Sequence, residues 1–307
     1  MKTRYPIYIM SKGRSDMPFT ALRLTEMKCP FFFVVENTEV KKYKKLGLGE
    51  VLTLPFHDLG QGSIPARNWI WEHAKKNKQA RHWVMDDNVS VFYRMNYNRR
   101  IPVQTSAIFR CIEDWADRYT NIAFCGPHNK AFAVEVDGGQ PALSLNTRIY
   151  SMILVNTDLP YRWRGRYNED TDICIRALKD GWVTCIFKVF LGQKMATWSG
   201  APTDKKKKSF HGGNADNVYN TGDYRKAFVE SLQKQHPDVV EMVWKYGRWH
   251  HRVNYAPFKK NKPILREGVT PIVGTNEYGM RLVYVGKHAQ YSSNKLCPVT
   301  PIEEGAE

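Results

Sequence analysis

Residues 83–88 read Trp-Val-Met-Asp-Asp-Asn, an apolar run that ends on two carboxylates and an amide. Short apolar runs of this kind are typical of buried strands, and in open α/β sheets ligands bind beyond the carboxyl ends of the strands. Carboxylate oxygens suit Mg²⁺ or Mn²⁺, which can bridge a protein to a diphosphate. The same residues also fit an ordinary turn after a strand, so the stretch alone leaves both interpretations open.

Short apolar runs alternate with helical patterns along the first half of the chain. The runs are typical of strands, and the stretches between them carry helix formers with apolar residues three and four positions apart. The predicted strands are residues 5–10, 31–35, 51–54 and 82–85, and the predicted helices are residues 17–27, 38–45 and 64–76. This alternation predicts a Rossmann-like, mostly parallel sheet with crossover helices.

The pattern changes beyond residue 100, where mixed or antiparallel strands are expected. The sequence predicts helices at residues 104–119, 170–179 and 222–235, and strands at residues 122–125, 131–136, 148–155 and 182–190. Gly181 suits the left-handed position that follows a helix, so the helix that begins at Asp170 is expected to end there. The predicted fold class is α/β, with a mixed sheet flanked by helices.

The composition is that of a folded, basic, globular chain. Its 307 residues can bury roughly three quarters of their unfolded surface. The net charge of +16 favours polyanions such as nucleic acid or nucleotide phosphates, although a merely soluble basic protein would show the same balance. Six cysteines without metal-finger spacing, and no apolar run of about twenty residues, predict a cytoplasmic protein with reduced thiols and no membrane partner; if the protein is viral, that is the host cytoplasm.

A second cluster of acids lies in residues 167–182, Tyr-Asn-Glu-Asp-Thr-Asp-Ile-Cys-Ile-Arg-Ala-Leu-Lys-Asp-Gly-Trp. Acids at a helix start are stabilised by the unpaired amides there, so ordinary capping explains part of the pattern. Arg176 lies four residues beyond Asp172 and can pair with it on one helix face. That pairing would leave Glu169 and Asp170 at the mouth of the helix.

Taken together, the two acidic stretches resemble known motifs. The Asn-Glu-Asp-x-Asp helix start resembles the acceptor-side motif of GT-A glycosyltransferases, and residues 86–88 stand in the place of the GT-A metal motif. Residues 7–14, 34–36, 67–68 and 212–214 are similar to the TET/JBP-associated glycosyltransferases, phage and eukaryotic enzymes thought to glycosylate hydroxymethylated bases in DNA. The resemblance implies a GT-A domain over residues 1–215, followed by a basic, partly helical extension over residues 216–307.

The resemblance also implies roles for individual residues. Asp170 corresponds to the general base of inverting enzymes, with Glu169 beside it, and Glu36 to an acid that accepts the uracil N–H of a UDP-sugar. The residues implied in donor binding are Ser11, Lys12, Arg14, Glu36, Arg67, Asn68 and Asp86. The implied ligands of Mn²⁺ or Mg²⁺ are Asp87, Asp86, Asn88 and His211. Arg14 and Arg67 could equally be surface cations, and His211 an ordinary surface histidine.

Residues 242–266 form a basic segment in which aromatic residues are interleaved with seven Lys or Arg and no acid. Cations can contact phosphates while rings stack on exposed bases, as in single-strand or flipped-base binding. The residues expected to contact an acceptor nucleic acid are Arg248, Trp249, Arg252, Tyr255, Lys259 and Lys260. The alternative is that the aromatic residues form the core of a small subdomain with a solvated basic face.

The sequence therefore predicts a metal-dependent, inverting hexosyl- or pentosyltransferase. It would move a sugar from a UDP-sugar to a hydroxymethylated pyrimidine, 5-hydroxymethylcytosine, in DNA. A protein or glycan acceptor is an alternative, with the positive charge serving the donor phosphates alone. A non-catalytic nucleic-acid-binding protein and a metal nuclease are further alternatives, but a nuclease gives no reason for the helix start at residues 168–172.

Overall fold

The computed structural model describes residues 2–96, 99–133, 141–165, 167–195 and 224–269. Its strands are β1 (Ile7–Met10), β2 (Phe32–Glu36), β3 (Glu50–Leu54), β4 (Arg81–Asp86), β5 (Val89–Asn96), β6 (Arg99–Pro102), β7 (Ile122–Asn129), β8 (Leu143–Leu145), β9 (Met152–Asn156), β10 (Val183–Lys194), β11 (Val240–Lys245) and β12 (Arg248–Val253). Its α-helices are α1 (Phe19–Glu26), α2 (Val40–Leu46), α3 (Ile64–Lys76), α4 (Ala107–Asp117), α5 (Glu169–Lys179) and α6 (Tyr224–Gln235).

The central sheet runs in the order β3-β2-β1-β4-β9-β7-β10-β5-β6, with β8 paired to β10. Its first four strands are parallel, β9 is antiparallel to both of its neighbours, and β5 and β6 form an antiparallel hairpin. The prediction of a parallel first half and a mixed second half is thus confirmed. Because β1, β2 and β4 are parallel, their carboxyl ends meet at one edge, where the acids of β4 lie.

Both faces of the central strands β1, β4, β7 and β9 are buried, which is why these strands are mostly apolar. Along β1, the side chains of Ile7 and Ile9 join a cluster formed with α1, α2 and α4. Tyr8 points to the opposite face and joins a second cluster, which is formed with α3 and α5. The sheet is therefore the middle of three layers, and α3 and α5 share the face on which the candidate site opens.

Several parts of the secondary structure differ from the prediction. The strand predicted at residues 148–155 begins only at Met152, and β8 has no counterpart in the prediction. Residues 131–136 are not a strand as far as they are described: Lys130–Phe132 is a 3-10 helix, capped by the Asn129 side chain, which accepts a hydrogen bond from the amide of Ala131. Two hairpins, β5–β6 and β11–β12, were not predicted. Their exposed strands alternate in burial and carry Arg, Asn and His, so they lack the continuous apolar runs that reveal the central strands.

Residues 224–269 pack onto the sheet domain. Leu232, Val240 and Phe258 form an apolar cluster with Ile175 and Leu178 of α5. The boundary predicted at residue 215 lies outside the described residues, but the described part of the predicted extension is a layer on α5. No helix in the described part of the chain is long and apolar enough to cross a membrane.

Candidate active site

A cavity of about 460 Å³ opens beyond the carboxyl ends of β1, β2 and β4 and is closed on the other side by the start of α5. Its volume lies within the range of small-molecule sites. Ten of the residues implied by the resemblance line its wall: Ser11, Lys12, Arg14, Glu36, Arg67, Asp86, Asp87, Asn88, Glu169 and Asp170. The structure thus brings the two acidic stretches together, although 81 residues separate Asn88 from Glu169.

The loop after β1 is held by buried hydrogen bonds. Both carboxylate oxygens of Glu39 accept from the amide of Gly13, which has a left-handed φ of 67°. The amide of Arg14 donates to the hydroxyl of Tyr43, which lies 2.6 Å from the hydroxyl of Ser11. Ser11 in turn donates to Asp87. Because this chain fixes both the backbone and Ser11, the loop is preorganised at the cavity wall.

Asp87 is buried and is held by groups of this loop. Its Oδ2 accepts from Ser11 at 2.6 Å, and its Oδ1 forms an ion pair with Arg14 at 2.5 Å. Burial raises the pKa of Asp87, against the opposing charge of Arg14. Both oxygens of the carboxylate therefore have protein partners.

Asp86 lies between two cations. Lys194 Nζ is 2.7 Å from its Oδ2, and Arg67 Nη2 is 3.4 Å from its Oδ1. Burial would raise the pKa of Asp86, but the charges of Lys194 and Arg67 outweigh burial and lower it. Asp86 is therefore an ionised group that orients two positive side chains at the cavity wall.

The predicted metal site can be tested against this donor set. All four oxygens of Asp86 and Asp87 face a cation or a hydroxyl of the protein, and Asn88 donates through Nδ2 to the carbonyl of Met195. Across the described residues, no three or more His, Cys, Asp or Glu side chains are grouped to hold a metal ion. This arrangement does not fit a divalent cation at Asp86. His211 lies outside the described residues, and metal dependence stays a prediction.

Arg67 carries a buried donor without a partner. Its side chain is only 5% exposed, its Nε contacts Ser63 Oγ at 3.2 Å and Glu169 Oε1 at 3.6 Å, and its guanidinium lies over the ring of Trp163. Among the described residues, Nη1 of Arg67 finds no hydrogen-bond acceptor, and Oδ1 of Asn88 finds no donor. Unpaired buried polar atoms are costly, so their presence in a cavity wall indicates that a ligand completes them.

Lys12 and Glu36 form a pair at the far end of the cavity. Lys12 Nζ lies 2.8 Å from Glu36 Oε1 and 2.6 Å from Asp58, and the amide of Asp58 also donates to Oε1. Burial would lower the pKa of Lys12, but its hydrogen bonds to the two acids outweigh burial and raise it. Both hydrogen bonds described at the Glu36 carboxylate go to Oε1, and the residue lines the cavity.

The start of α5 supplies the remaining acids. The helix begins at Glu169, after Asn168 in the left-handed region, whose side-chain amide donates to the carbonyl of Phe228 in α6. The predicted pairing of Asp172 with Arg176 is confirmed at 2.9 Å, and it directs Asp172 away from the cavity into a buried network. Glu169 and Asp170 are therefore left at the helix mouth.

The two acids at the helix mouth face different surroundings. Glu169 accepts from Ser63 at 3.0 Å on the side of Arg67, and burial raises its pKa against the charge of Arg67. Asp170 interacts electrostatically with Arg148, and its charge raises the pKa of Arg148 although burial alone would lower it. Asp170 also acts on His251 of β12, whose pKa burial lowers to about 4. The charge of Asp170 thus acts both on a cation of the cavity wall and on a residue of the C-terminal hairpin.

Asn68 is not among the residues of the cavity wall, and its expected part in donor binding stays a prediction. Its side chain makes two hydrogen bonds with the backbone of Trp163, at 2.9 and 2.8 Å, and so anchors the loop that precedes α5. The ring of Tyr255 is half-buried and packs against the apolar cluster on α5, as in the alternative of a small subdomain core, and its expected contact with an acceptor stays a prediction.

The other predicted acceptor residues lie on the β11–β12 hairpin or just beyond it. Arg248 and Arg252 are exposed, and Arg252 pairs with Glu241 on the opposite strand. Trp249 packs edge to face against Trp244 at 5.2 Å. Lys259 and Lys260 are exposed in the 3-10 helix Ala256–Lys260. The predicted residues therefore form a basic surface on the C-terminal layer.

Sequence reasoning missed four residues that shape the cavity: Tyr43, Arg148, Ser151 and Lys194. Tyr43 lies within a predicted helix and Ser151 within a predicted strand. Neither belongs to a sequence motif, so nothing in the sequence distinguishes them. Lys194 is the last residue of β10, but the predicted strand ends at residue 190, so the sequence did not place Lys194 at a strand end.

Cations and paired carboxylates thus lie beyond the strand ends of a mixed α/β sheet, the place where folds of this class bind their ligands. The model of the TET-Associated Glycosyltransferase family matches residues 5–203, more than half of the chain, and the protein belongs to this family. No curated protein matches the chain. The matched range contains the sheet, α1 to α5 and every described residue of the cavity wall except Phe228.

Proposed function

We propose that this glycosyltransferase moves a sugar from a UDP-sugar to the hydroxymethyl group of a modified pyrimidine in DNA, 5-hydroxymethylcytosine. One observation carries the proposal: a single cavity joins a cation-lined wall at the strand ends with two carboxylates at a helix mouth. The cations suit a diphosphate, and a carboxylate opposite them suits the activation of an incoming alcohol.

The donor half of the cavity is matched to a nucleoside diphosphate. The unpaired Nη1 of Arg67 offers a charge-assisted hydrogen bond to a phosphate oxygen. At the other end, Oε2 of Glu36 can accept the N–H of a uracil ring. The glycine loop at residues 60–62 leads into α3 and lines the same wall, where backbone amides can approach phosphates.

In the reaction we assign, the acceptor hydroxyl oxygen attacks the anomeric carbon of the sugar. The bond from that carbon to the diphosphate breaks, and the nucleoside diphosphate leaves with the electron pair. Asp170 takes the hydroxyl proton, since it is one of the two carboxylates that line the cavity at the helix mouth. Attack opposite the leaving group inverts the anomeric configuration.

The acceptor surface is the hairpin of β11 and β12. Its tip exposes Trp244 by 59% and Tyr246 by 91%, beside the exposed cation Arg248. Rings of this kind stack on bases while the cations contact phosphates, and an enzyme that modifies a base must take it out of the duplex. His251 lies on the same hairpin, and the charge of Asp170 acts on it, which supports an acceptor that approaches the proposed general base from this side. The net charge of +16 supports a polyanionic acceptor.

The test is a product assay with the full chain, Mn²⁺ and a panel of UDP-sugars. DNA containing 5-hydroxymethylcytosine is the acceptor, and DNA containing 5-methylcytosine, which lacks the hydroxyl, is the matched control. After digestion to deoxynucleosides, mass spectrometry should show a hexose or pentose increment on hydroxymethyldeoxycytidine alone. Donor consumption with unchanged DNA would point to a protein or glycan acceptor, DNA binding without donor turnover to a binding protein, and shortened strands to a nuclease.

A further inference from the structure

Lys194 is the last residue of β10, and its side chain lines the cavity. Its ammonium group lies 2.7 Å from Asp86 Oδ2 and 2.9 Å from Ser151 Oγ. An ammonium has three donors, so two are used by these partners and the third is available to a ligand. Lys194 thus stands at the place where the resemblance implies a metal ion.

The surroundings of Lys194 are built to hold it there. Ser151 has a left-handed φ of 67°, a strained conformation for a residue with a side chain. In that conformation its carbonyl accepts from the amide of Asp86 at 2.8 Å while its hydroxyl accepts from Lys194. The amide of Met195, the next residue, donates to the carbonyl of Asn88 at 2.8 Å. The end of β10 is therefore fastened directly to the Asp-Asp-Asn turn.

We infer that Lys194, together with Arg67, supplies the positive charge that stabilises the departing diphosphate, and that transfer proceeds without a divalent cation. The inference rests on the proposed function, because it assigns a role in that same reaction. Asp86 is then a positioning residue that orients Lys194 and Arg67. It is not a metal ligand.

Charge and hydrogen bonding favour this assignment over a metal at Asp86. A divalent cation bound to Asp86 would meet an ammonium at Oδ2 and a guanidinium at Oδ1, and like charges at such distances repel strongly. Two N–H groups can already donate hydrogen bonds to a phosphate without a metal ion. They are the third N–H of the Lys194 ammonium and the unpaired Nη1 of Arg67. When the bond from the anomeric carbon to the diphosphate breaks, the electron pair moves to a phosphate oxygen. That oxygen accepts hydrogen bonds from Lys194 and Arg67. The proton released by the acceptor goes to Asp170.

The experiment measures UDP binding by isothermal titration calorimetry, first in EDTA and then with Mn²⁺, and transfer to DNA in the same two buffers. The variants are Lys194→Met, which removes the charge and keeps the length, and Lys194→Arg, which keeps the charge. Lys188→Met is the matched control, because Lys188 lies on the same strand and outside the cavity wall. Thermal melting reports whether each variant is folded.

We expect the wild type to bind UDP equally well, within about twofold, in EDTA and in Mn²⁺, and to transfer sugar in both. Lys194→Met should weaken UDP binding by about 10- to 150-fold, as expected for a lost charge-assisted hydrogen bond, while Lys194→Arg retains part of the affinity. Lys188→Met should bind like the wild type.

Two results would overturn the inference and leave the proposed function standing. One is a wild-type protein that loses UDP affinity in EDTA and regains it with Mn²⁺. This comparison uses the wild type alone, so it does not depend on whether any variant folds. The other is a folded Lys194→Met protein that binds UDP as tightly as Lys188→Met. If the wild type binds no UDP in either buffer, the proposed donor is wrong and the inference falls with it.

Discussion

Replacing Asp172 by Asn removes the negative charge at the centre of a buried ionic network on α5. The carboxylate is 1% exposed and contacts Arg164 at 3.0 Å, Arg176 at 2.9 Å and His236 at 2.8 Å. Arg164 is half-exposed and can return to water, but Arg176 and His236 are mostly buried and cannot. Breaking a buried ionic network by removing one partner costs about 3–5 kcal/mol, so we expect that loss in the free energy of unfolding.

The assay is urea unfolding followed by circular dichroism, together with the melting temperature. A loss of 3–5 kcal/mol corresponds to a decrease of about 6–20 °C in a domain of this size. Asp238→Asn is the matched control, because the Lys179–Asp238 pair is at the surface, with Asp238 56% exposed, and such pairs contribute at most about 1 kcal/mol. If Asp172→Asn loses no more stability than Asp238→Asn, the network does not hold the fold together.

The same residue predicts how stability depends on pH. Burial would raise the pKa of Asp172, but His236, Arg164 and Arg176 outweigh burial and lower it below the ordinary value. A carboxylate with a lowered folded-state pKa contributes its stability above about pH 4, and this contribution is lost as the pH falls through the folded-state pKa. The difference in stability between wild type and Asp172→Asn should therefore shrink as the pH falls from about 5 towards 2.

Three further changes test the site and the sheet that carries it. Asp170→Asn should lower the rate of transfer by about 100-fold or more while UDP affinity stays within about twofold, and near-normal turnover would exclude Asp170 as the base. Tyr246→Ala should weaken DNA binding in gel-shift titrations by about 5- to 150-fold, the loss expected for one stacked base, and unchanged retention would exclude the hairpin tip as a contact. Gly126→Ala should lower the free energy of unfolding by about 1–3 kcal/mol, because its new Cβ would lie 2.1 Å from the carbonyl oxygen of Met152. Gly192→Ala should cost less, since its Cβ would clash with the end of the Met152 side chain and not with backbone, and equal stability of both variants would contradict this reasoning.

The central strands and helices could be predicted from sequence because their signals are local. The strands are apolar on both faces, and α3 was predicted with both bounds as the structure has them, residues 64–76. Gly181 takes a φ of 86° after α5, as the predicted left-handed position requires. The acids of the site were visible for the same reason, since each follows directly on a strand or begins a helix.

The partners of those acids could not be predicted, because pairing across a fold leaves no local pattern. Lys194 meets Asp86 across 108 residues and Arg14 meets Asp87 across 73. Nothing in the sequence around residues 86–88 shows whether its carboxylates face a metal ion, water or protein cations. Asn68 shows that residues adjacent in sequence need not share a site. It follows Arg67 in α3, but neighbouring helical residues point in different directions, and its side chain bonds to the backbone of Trp163.

The layer that covers α5 limits how the protein can be shortened or recombined. The family match ends at residue 203, yet Leu232, Val240 and Phe258 complete the apolar packing of Ile175 and Leu178 on that helix. A chain cut after the matched range would expose this face of α5 to water and leave Asp172 without His236. Grafting only the matched range onto another recognition module would therefore weaken the helix whose first turn carries Glu169 and Asp170. Swaps between relatives should carry residues 224–269 along with the sheet.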